Sequence, residues 1–400
     1  MSSQPDPTGR PAGRRFALAT LGATLVAFLA SSSTPTPLYH LYQQAWGFSS
    51  SMLTVVFGTY ALALLASLLV VGSLSDHVGR RPVICASVLL LAVAMVLFLL
   101  ADSVAWLIAA RAVQGVAMGA ASGAIGAALI DADRTAGQLI NSLVPLAGMA
   151  VGVLCSSALV SFAPAPMHLG YAILLVTLLL QAGLVWLLPE TATRRPGVFA
   201  SLTPRVHVPA QARGALALIT PGNVAGWALA GFYLSLMPSL VTAATGNRSV
   251  MVAGAVVGTL TVCGSIAILA RRTRTAASNL RLGPPLMILG MAVVLAGTHA
   301  GVVALLFAGT AIAGLGLGTN FLGSVNTVMP LAAPDERAGL LSAFYVESYL
   351  AFALPAIGAG FLARVIGLAP TADIYAGLVI LLTLAGIAAM RLSGRTGARA

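Results

Sequence analysis

The sequence predicts an all-α polytopic membrane protein with twelve transmembrane helices in two six-helix bundles. Of its 400 residues, 58% are hydrophobic and only 8% are charged, whereas a soluble domain carries about 25% charged residues. Runs of about 20 apolar residues, long enough to cross a bilayer, recur along the whole chain. A polar stretch near the middle divides these runs into six and six. Composition, run length and this central break together predict the fold class.

Each apolar run gives one predicted span, because a helix of this length matches the hydrocarbon thickness of a bilayer. The predicted spans, in order, are residues 16–37, 50–73, 83–100, 104–129, 139–162, 169–188, 214–240, 250–270, 282–298, 302–328, 340–362 and 372–390. The domain boundaries follow from them. We expect a tail at 1–15, bundles at 16–188 and 214–391, a linker at 189–213 and a second tail at 392–400.

The basic residues indicate the orientation of the chain. The net charge is +11, and all 21 basic residues are arginine. If the N-terminus is cytoplasmic, 18 of them fall in the tails or in the loops that follow even-numbered spans; Arg111, Arg248 and Arg364 are the exceptions. This bias follows the positive-inside rule and predicts that both termini are cytoplasmic. Topology therefore explains the positive charge, and we expect no nucleic-acid partner.

The two halves of the chain resemble each other weakly. Gly115 and Gly119 in the fourth span have counterparts in Gly314 and Gly318 of the tenth span. The segment that starts at Asp133 after the fourth span likewise resembles the one after the tenth. Six-span repeats are typical of transporters, which handle their substrate at the interface between the repeats.

The stretch from residue 72 to residue 82 concentrates charge and glycine between two apolar runs. Its charged and glycine residues include Gly72, Asp76, Gly79, Arg80 and Arg81. Because the neighbouring runs offer no water-like solvation, the stretch must lie at a membrane surface, where glycine permits a sharp turn. A carboxylate there can cap the N-terminus of a neighbouring helix. The alternative is a solvated loop whose arginines only set the topology.

Two charged residues lie inside predicted spans. Arg111 lies about 10 Å along the fourth span, and Gln114 shares its helix face. A charge at that depth is costly and faces either a polar interior or a partner, unless the side chain extends to the outer headgroups. Glu347 lies near the middle of the eleventh span. A carboxyl group exposed alternately to each side could carry a coupling proton; the alternative is a permanently protonated, structural glutamic acid.

The motifs in these positions resemble those of the major facilitator superfamily, and more narrowly its bacterial twelve-span drug:H+ antiporters. The loop motif of that family, roughly G-x-L-a-D-r-x-G-R-[RK], is matched in register by Gly72, Leu74, Asp76, Gly79, Arg80 and Arg81. Its R-x-x-Q-G motif is matched by Arg111, Gln114 and Gly115. The fifth-span antiporter motif is kept only in part, as Pro145, Gly148 and Gly152, with Val144 where the family has glycine. The resemblance covers essentially the whole chain.

The resemblance implies roles for these residues. Gly72, Asp76, Gly79, Arg80 and Arg81 would form a conformational latch, in which Asp76 caps the eleventh span when the transporter faces outward. Arg111 would take part in proton transfer by tuning a nearby acid, which we identify with Glu347. In the family, spans one, four, seven and ten line the cavity. Candidate substrate contacts are therefore Tyr39, Gln114, Asn223, Trp227, Asn320 and Asn326, each of which could instead be a polar packing group.

Proline and glycine mark candidate hinges. Pro145, Gly148 and Gly152 lie in the fifth span, and helix geometry suggests that Pro355 bends the eleventh span. No phosphate-binding loop of the Gly-Lys type is possible without lysine, and the five histidines show no metal-ligand spacing. We therefore expect no metal, no cofactor and no enzymatic activity.

The sequence predicts a secondary transporter of the bacterial inner (plasma) membrane that exports small amphipathic molecules against proton entry. The expected partners are a small-molecule substrate, protons and the lipid bilayer, with a monomer as the working unit. The alternative is a proton-coupled importer or facilitator of a small nutrient or metabolite in the same fold.

Overall fold

The structure is a computed structural model that describes residues 11–192, 196–204, 206–333 and 336–397. Parts of the predicted tails and linker (1–10, 193–195, 205 and 398–400) lie outside the described residues, as do residues 334 and 335 in the segment after the tenth span.

The described chain is helical. Its α-helices are α1 (Pro11–Ser33), α2 (Tyr39–Trp46), α3 (Ser50–Val71), α4 (Ser75–Val78), α5 (Arg80–Leu99), α6 (Val104–Ala132), α7 (Arg134–Phe162), α8 (Leu169–Trp186), α9 (Val198–Ser201), α10 (Ala210–Ser235), α11 (Met237–Thr245), α12 (Val250–Arg271), α13 (Ala276–Ala300), α14 (Val303–Val328), α15 (Arg337–Ile366) and α16 (Leu368–Gly397). A 3₁₀ turn, Met329–Leu331, follows α14.

Twelve of the helices in the described part of the chain are long and apolar enough to cross a membrane. They are α1, α3, α5, α6, α7, α8, α10, α12, α13, α14, α15 and α16, and we number them as spans one to twelve. Because the spans alternate in direction, α1 begins and α16 ends on the same side. We call that side the terminal face and the other side the opposite face. The predicted fold class is confirmed.

Several helices start earlier than the apolar runs predicted, because capping side chains lie outside those runs. The Asp133 carboxylate accepts hydrogen bonds from the backbone N–H groups of Thr135 and Ala136, so α7 starts at Arg134 rather than at 139. Thr275 caps α13 in the same way, and this helix starts at Ala276 rather than at 282. Hydropathy does not detect such caps, which satisfy the free N–H groups of the first turn.

Glycine allows the fourth helix of each half to pack closely on the second. A Cβ atom on Gly115 or Gly119 of α6 would collide with the α3 backbone at Tyr60 and Leu64. Gly314 and Gly318 of α14 lie in the same way against α12. The repeated glycine pairs thus make equivalent contacts in the two halves, which is the close backbone approach that small residues permit between membrane helices.

The two halves pack on each other near the opposite face through two seams. In one, Gly58 of α3 lies against Ile357 of α15, and Gly360 of α15 lies against Thr54. In the other, Gly254 and Gly258 of α12 lie against Ser157 and Leu154 of α7. We call these contacts the opposite-face seams. They bring helix backbones from the two halves together on the side of the membrane away from the termini.

Linker residues join the halves at the terminal face. The Ser73 hydroxyl donates to the Ser201 carbonyl oxygen over 2.9 Å, and the His207 N–H donates to the Gly339 carbonyl oxygen over 3.3 Å. The second contact places the linker beside the first turn of α15.

Candidate functional site

Arg111 is completely buried in α6 and is surrounded by uncharged groups. Its Nη1 donates to the Ser32 carbonyl oxygen over 2.9 Å and to Gln114 Oε1 over 2.7 Å. Its Nε donates to the Tyr39 hydroxyl over 3.0 Å, and Nη2 contacts the same oxygen. The guanidinium carbon lies 5.5 Å from the ring centre of Tyr39 and 5.3 Å from that of Tyr60. Oxygen acceptors and aromatic faces thus offset the cost of burying the charge.

Arg111 and Gln114 together cap the end of α1. Ser31 lies four residues before Pro35, which has no N–H to donate to the Ser31 carbonyl oxygen. Gln114 Nε2 donates to that oxygen instead, over 2.8 Å. The Thr36 N–H bonds to Ser33 and so leaves the Ser32 carbonyl for Arg111. The negative end of the α1 helix dipole also favours a cation at this point.

The acid expected beside Arg111 is absent from its surroundings in the described chain. Across the described residues, the ion pairs within 4.0 Å join Arg14 to Asp133, Arg80 to Asp76 and Asp131, and His299 to Asp373. None of them involves Arg111. The structure therefore does not bring Arg111 and Glu347 together, since one lies against α1 in the first half and the other against α10 in the second. Tyr39 and Gln114, expected in the cavity, are buried partners of Arg111.

Glu347 is half-buried in α15, about 15 Å from the start of that helix. Its Oε2 accepts a hydrogen bond from the Thr220 hydroxyl over 2.7 Å, and its Oε1 accepts one from Asn223 Nδ2 over 2.9 Å. Asn223 Nδ2 also lies 3.1 Å from the Ser348 hydroxyl. The carboxyl group is held by two neutral donors, both of which lie on α10.

Aromatic side chains lie one turn beyond Glu347, toward the opposite face. The Trp227 ring centre is 5.3 Å from that of Tyr349 and 5.9 Å from that of Phe352. Phe352 lies 4.9 Å from Phe57 of α3, which belongs to the first half of the chain. These four residues form what we call the aromatic cluster. It joins the halves and provides flat apolar surfaces next to a carboxyl group.

The two asparagines of α14 have different environments. Asn320 is buried and donates from Nδ2 to the Gly222 carbonyl oxygen over 2.9 Å, beside Asn223. Asn326 is exposed. The two positions are six apart in sequence, which places them about 120° apart around a helix. They therefore cannot line the same cavity wall, and Asn320 is the one that lies near the Glu347 site.

The loop motif at the terminal face is assembled around Glu190, which the sequence analysis did not single out. Glu190 Oε1 accepts a hydrogen bond from the Arg80 N–H over 2.8 Å, and Oε2 accepts one from the Arg81 N–H over 3.1 Å. Gly79 has a φ of +117°, and a Cβ atom there would lie 2.5 Å from Glu190 Oε2. Glu190 thus caps α5, and Gly79 leaves room for its carboxylate.

The arginines of this motif bind within the first half of the chain. Arg80 pairs with Asp76 and lies 3.5 Å from Asp131 of α6. Arg81 covers the Trp186 ring at 4.9 Å and donates to the Leu188 carbonyl oxygen over 3.3 Å. The loop after span two and spans three, four and six therefore meet at this point.

The expected contact between Asp76 and the start of the eleventh span is not formed in this conformation. The Asp76 side chain is 42% exposed and bonds to Arg80. The first turn of α15 instead packs on His207 through Gly339. At the end of α3, the Gly72 carbonyl oxygen lies so close to Gly123 of α6 that a Cβ atom on Gly123 would collide with it.

The candidate hinge residues lie within continuous helices. Pro145 is inside α7 and Pro355 is inside α15. Gly148 and Gly152 lie against Leu29 and Ala30 of α1 with no space for a Cβ atom. These two glycines therefore permit close packing of α7 on α1, and a hinge role for the four residues stays a prediction.

Twelve helices in the described part of the chain are long and apolar enough to cross a membrane, and with polar groups buried among them they define a polytopic membrane protein. The sequence model of the Major Facilitator Superfamily matches residues 20–354, and the chain belongs to that superfamily. As in its relatives, the function is transport and not enzymatic catalysis.

Individual relatives are more distant. The chain is 29% identical over 190 residues to the inner membrane transport protein YajR of Escherichia coli (strain K12). That match spans 45% of this chain and 38% of the relative. In structure, the chain is similar to a mutant of the nucleoside transporter NupG (TM-score 0.73, 13% identity) and to the human organic anion transporter MFSD10 (TETRAN) (TM-score 0.68, 15% identity). Each comparison covers 94% of this chain and 99% of the other, and each shows the shared fold.

Proposed function

We propose that this transporter exports small amphipathic molecules in exchange for protons and that Glu347 is the group that takes up and releases the coupling proton. The observation that carries the proposal is the position of this carboxyl group. In the described spans, Glu347 lies further from the nearer end of its helix than Asp131 or Asp373 does. Placing a carboxyl group at such depth costs free energy, and ionisable residues inside membrane spans usually serve a function.

The surroundings of Glu347 suit a group that changes its protonation state. The side chains that donate to its carboxyl group, Thr220 and Asn223, are both neutral. Because the residue is only half-buried, a proton can enter and leave. Arg111, in the other half, would act on transport by stabilising the end of α1 rather than by contacting this acid.

The aromatic cluster supports an amphipathic substrate. Trp227, Tyr349, Phe352 and Phe57 lie beside Glu347 and belong to both halves. Flat aromatic surfaces bind apolar rings, while a single nearby carboxylate can pair with at most one positive group. A molecule with several charges would find no matching partners there.

The opposite-face seams support alternating access. With both termini in the cytoplasm, as the arginine distribution predicts, the seams close the outer side and the conformation faces inward. The Asp76 carboxylate, which is partly exposed and pairs with Arg80 rather than with α15, fits this state, since its proposed contact with α15 would form only when the terminal face closes. We place the protein in the bacterial inner membrane and expect it to work as a monomer.

The test is transport into liposomes with an imposed pH gradient, using a panel of lipophilic amines and neutral aromatic compounds. We expect wild-type protein to accumulate at least one class against its gradient. Glu347→Gln should lose this gradient-driven accumulation but retain downhill exchange. Asp373→Asn, which removes a carboxylate near the opposite face, is the matched control and should keep both. If Glu347→Gln responds to the gradient as the wild type does, the coupling role is wrong.

The direction of transport is tested in whole cells. Deletion of the transporter should raise the internal concentration of a substrate that is exported. A fall in that concentration would instead identify an importer with the same fold.

A further inference from the structure

The Thr220 hydroxyl lies between two oxygen atoms that both need its single hydrogen. Its Oγ1 is 2.9 Å from the Leu216 carbonyl oxygen, one turn back along α10. The same Oγ1 is 2.7 Å from Glu347 Oε2 on α15. A hydroxyl group donates one hydrogen bond and can accept two. Thr220 can therefore donate to only one of these oxygens at a time.

We propose that Thr220 is a positioning residue that satisfies Glu347 in both protonation states by moving its one hydrogen between these two acceptors. The inference rests on the proposed function for its meaning in transport. It concerns a residue that touches neither substrate nor water in the proposed mechanism and that acts through the carboxyl group.

When Glu347 is ionised, the Thr220 O–H points at Oε2 and donates a charge-assisted hydrogen bond. The Leu216 carbonyl oxygen loses only an extra bond, because the Thr220 N–H still donates to it within the helix. Asn223 Nδ2 donates to Oε1 at the same time. Each carboxylate oxygen thus has a donor.

When Glu347 takes up a proton from water, Oε2 becomes an O–H group that donates to Thr220 Oγ1. The Thr220 hydrogen then rotates to the Leu216 carbonyl oxygen. The proton stays on Glu347, and the threonine neither gains nor loses one. Release to water reverses the rotation. Asn223 keeps its bond to Oε1, which is now the carbonyl oxygen of the acid, so neither state leaves a buried polar group unpaired.

The other titratable groups on the neighbouring helices are few. Tyr345 and Tyr349 lie on α15 itself, as do Arg337 and Arg364 near its two ends, and Tyr60 lies on α3. The remaining titratable side chains of α10 and α16 whose surroundings are described are Arg213, Tyr233, Asp373, Tyr375 and Arg391. Arg213 is near the terminal face, about two turns from the level of Thr220. Arg391 is exposed and lies five residues after Gly386, which contacts Gly222, so it is about one turn from that level. From α10, Thr220 and Asn223 each form a hydrogen bond with the carboxyl group.

The experiment follows the infrared C=O band of the protonated carboxyl group in liposomes as the pH is changed, without any substrate. The Glu347 band is the one that disappears in Glu347→Gln. Thr220→Val keeps the shape of the side chain but removes the hydroxyl. Because a charge-assisted bond is stronger than a neutral one, its loss disfavours the ionised form more. The pH of half-maximal band intensity should therefore rise, by up to about one unit.

Two further variants complete the test. Thr220→Ser keeps the hydroxyl and should restore the wild-type midpoint. Thr327→Val is the matched control, since Thr327 is half-buried in the same half and bonds only to the Gly323 carbonyl within its own helix; its midpoint should not move. If Thr220→Val does not fold, Thr220→Ala takes its place with the same expectation.

An unchanged midpoint in Thr220→Val and Thr220→Ala, with a clear Glu347 band, would overturn the inference. The proposed function fails differently, through a Glu347→Gln variant that still couples transport to the pH gradient. Because the infrared titration needs neither substrate nor gradient, each of the two results can be obtained without the other.

Discussion

Gln114 donates a hydrogen bond to the carbonyl oxygen of Ser31 over 2.8 Å, in place of the backbone N–H that Pro35 lacks. A side chain of the fourth span thus completes the hydrogen bonding of the first. The arrangement gives the R-x-x-Q pair a structural task that is separate from proton transfer. It also makes the end of α1, next to the seam between the halves, depend on α6.

The cap on α1 predicts the effect of Gln114→Met. Methionine has a similar length but cannot donate, so the buried Ser31 carbonyl loses its partner at a cost of about 1–3 kcal/mol. Thermal unfolding in detergent should show a lower midpoint. Gln138→Met changes an exposed glutamine at the start of α7 and should leave the midpoint within error. Equal midpoints for the two variants would contradict the cap.

Gly79→Ala tests the room that Gly79 leaves for Glu190. Alanine at a φ of +117° is strained, and its Cβ atom would collide with the Glu190 carboxylate. We expect a loss of about 1 kcal/mol from the backbone alone and a further loss from displacing the cap of α5. Gly197→Ala is the control: its φ is +97°, but a Cβ atom there meets nothing within 4 Å. The thermal unfolding midpoint should fall more for Gly79→Ala.

Asp76→Asn tests the latch. Since the Asp76 side chain is 42% exposed and its ion pair with Arg80 is only partly buried, the substitution should cost less than about 1 kcal/mol of stability. Transport should nevertheless fall sharply, because the outward-facing state would lose its contact with α15. The check is the initial rate of uptake into liposomes at matched protein content. An unchanged rate would leave the loop as a topological anchor only.

Gly360→Val should open the opposite-face seams. The added side chain would overlap Thr54 of α3, so the conformation with a closed opposite face is disfavoured. Distances between spin labels placed on the two halves at that face should shift to longer values. Gly358→Val lies in the same helix, where a Cβ atom meets nothing within 4 Å, and should keep the wild-type distances. Identical distributions in both variants would show that the seams do not control closure.

The cap that Asp133 forms on α7 predicts that acid lowers the stability of the protein. The backbone N–H of Ala136, and then that of Thr135, hold the pKa of this carboxyl group below its ordinary value. The stability from this cap is complete above the ordinary pKa of aspartate and is lost as the pH falls through the lower, folded-state value. Asp133→Asn keeps an acceptor that does not titrate. Its unfolding midpoint should therefore fall less than that of the wild type when the pH is lowered below about 4.

Local features of the sequence predicted the spans and the two charges within them. Glu347 and Arg111 stand out because they interrupt apolar runs. The pairing of Gln114 with Ser31, 83 positions away, and of Glu190 with Arg80, 110 positions away, depends on how helices pack, and hydropathy carries no record of it. Pro35 was the sequence feature that could have indicated the contact with Gln114, since a proline near a helix end leaves a carbonyl oxygen that another donor must satisfy.

The partners of Arg111 are Ser32, Tyr39, Tyr60 and Gln114, all of which lie within the first 114 residues of the chain. Since synthesis proceeds from the N-terminus, every group that offsets this buried charge enters the membrane before the seventh span has been made. The first four spans can therefore settle around Arg111 without waiting for the second half. Glu347, in turn, accepts hydrogen bonds from α10, which is made before it. The charged residue within the spans of each half therefore finds its hydrogen-bond partners in that same half.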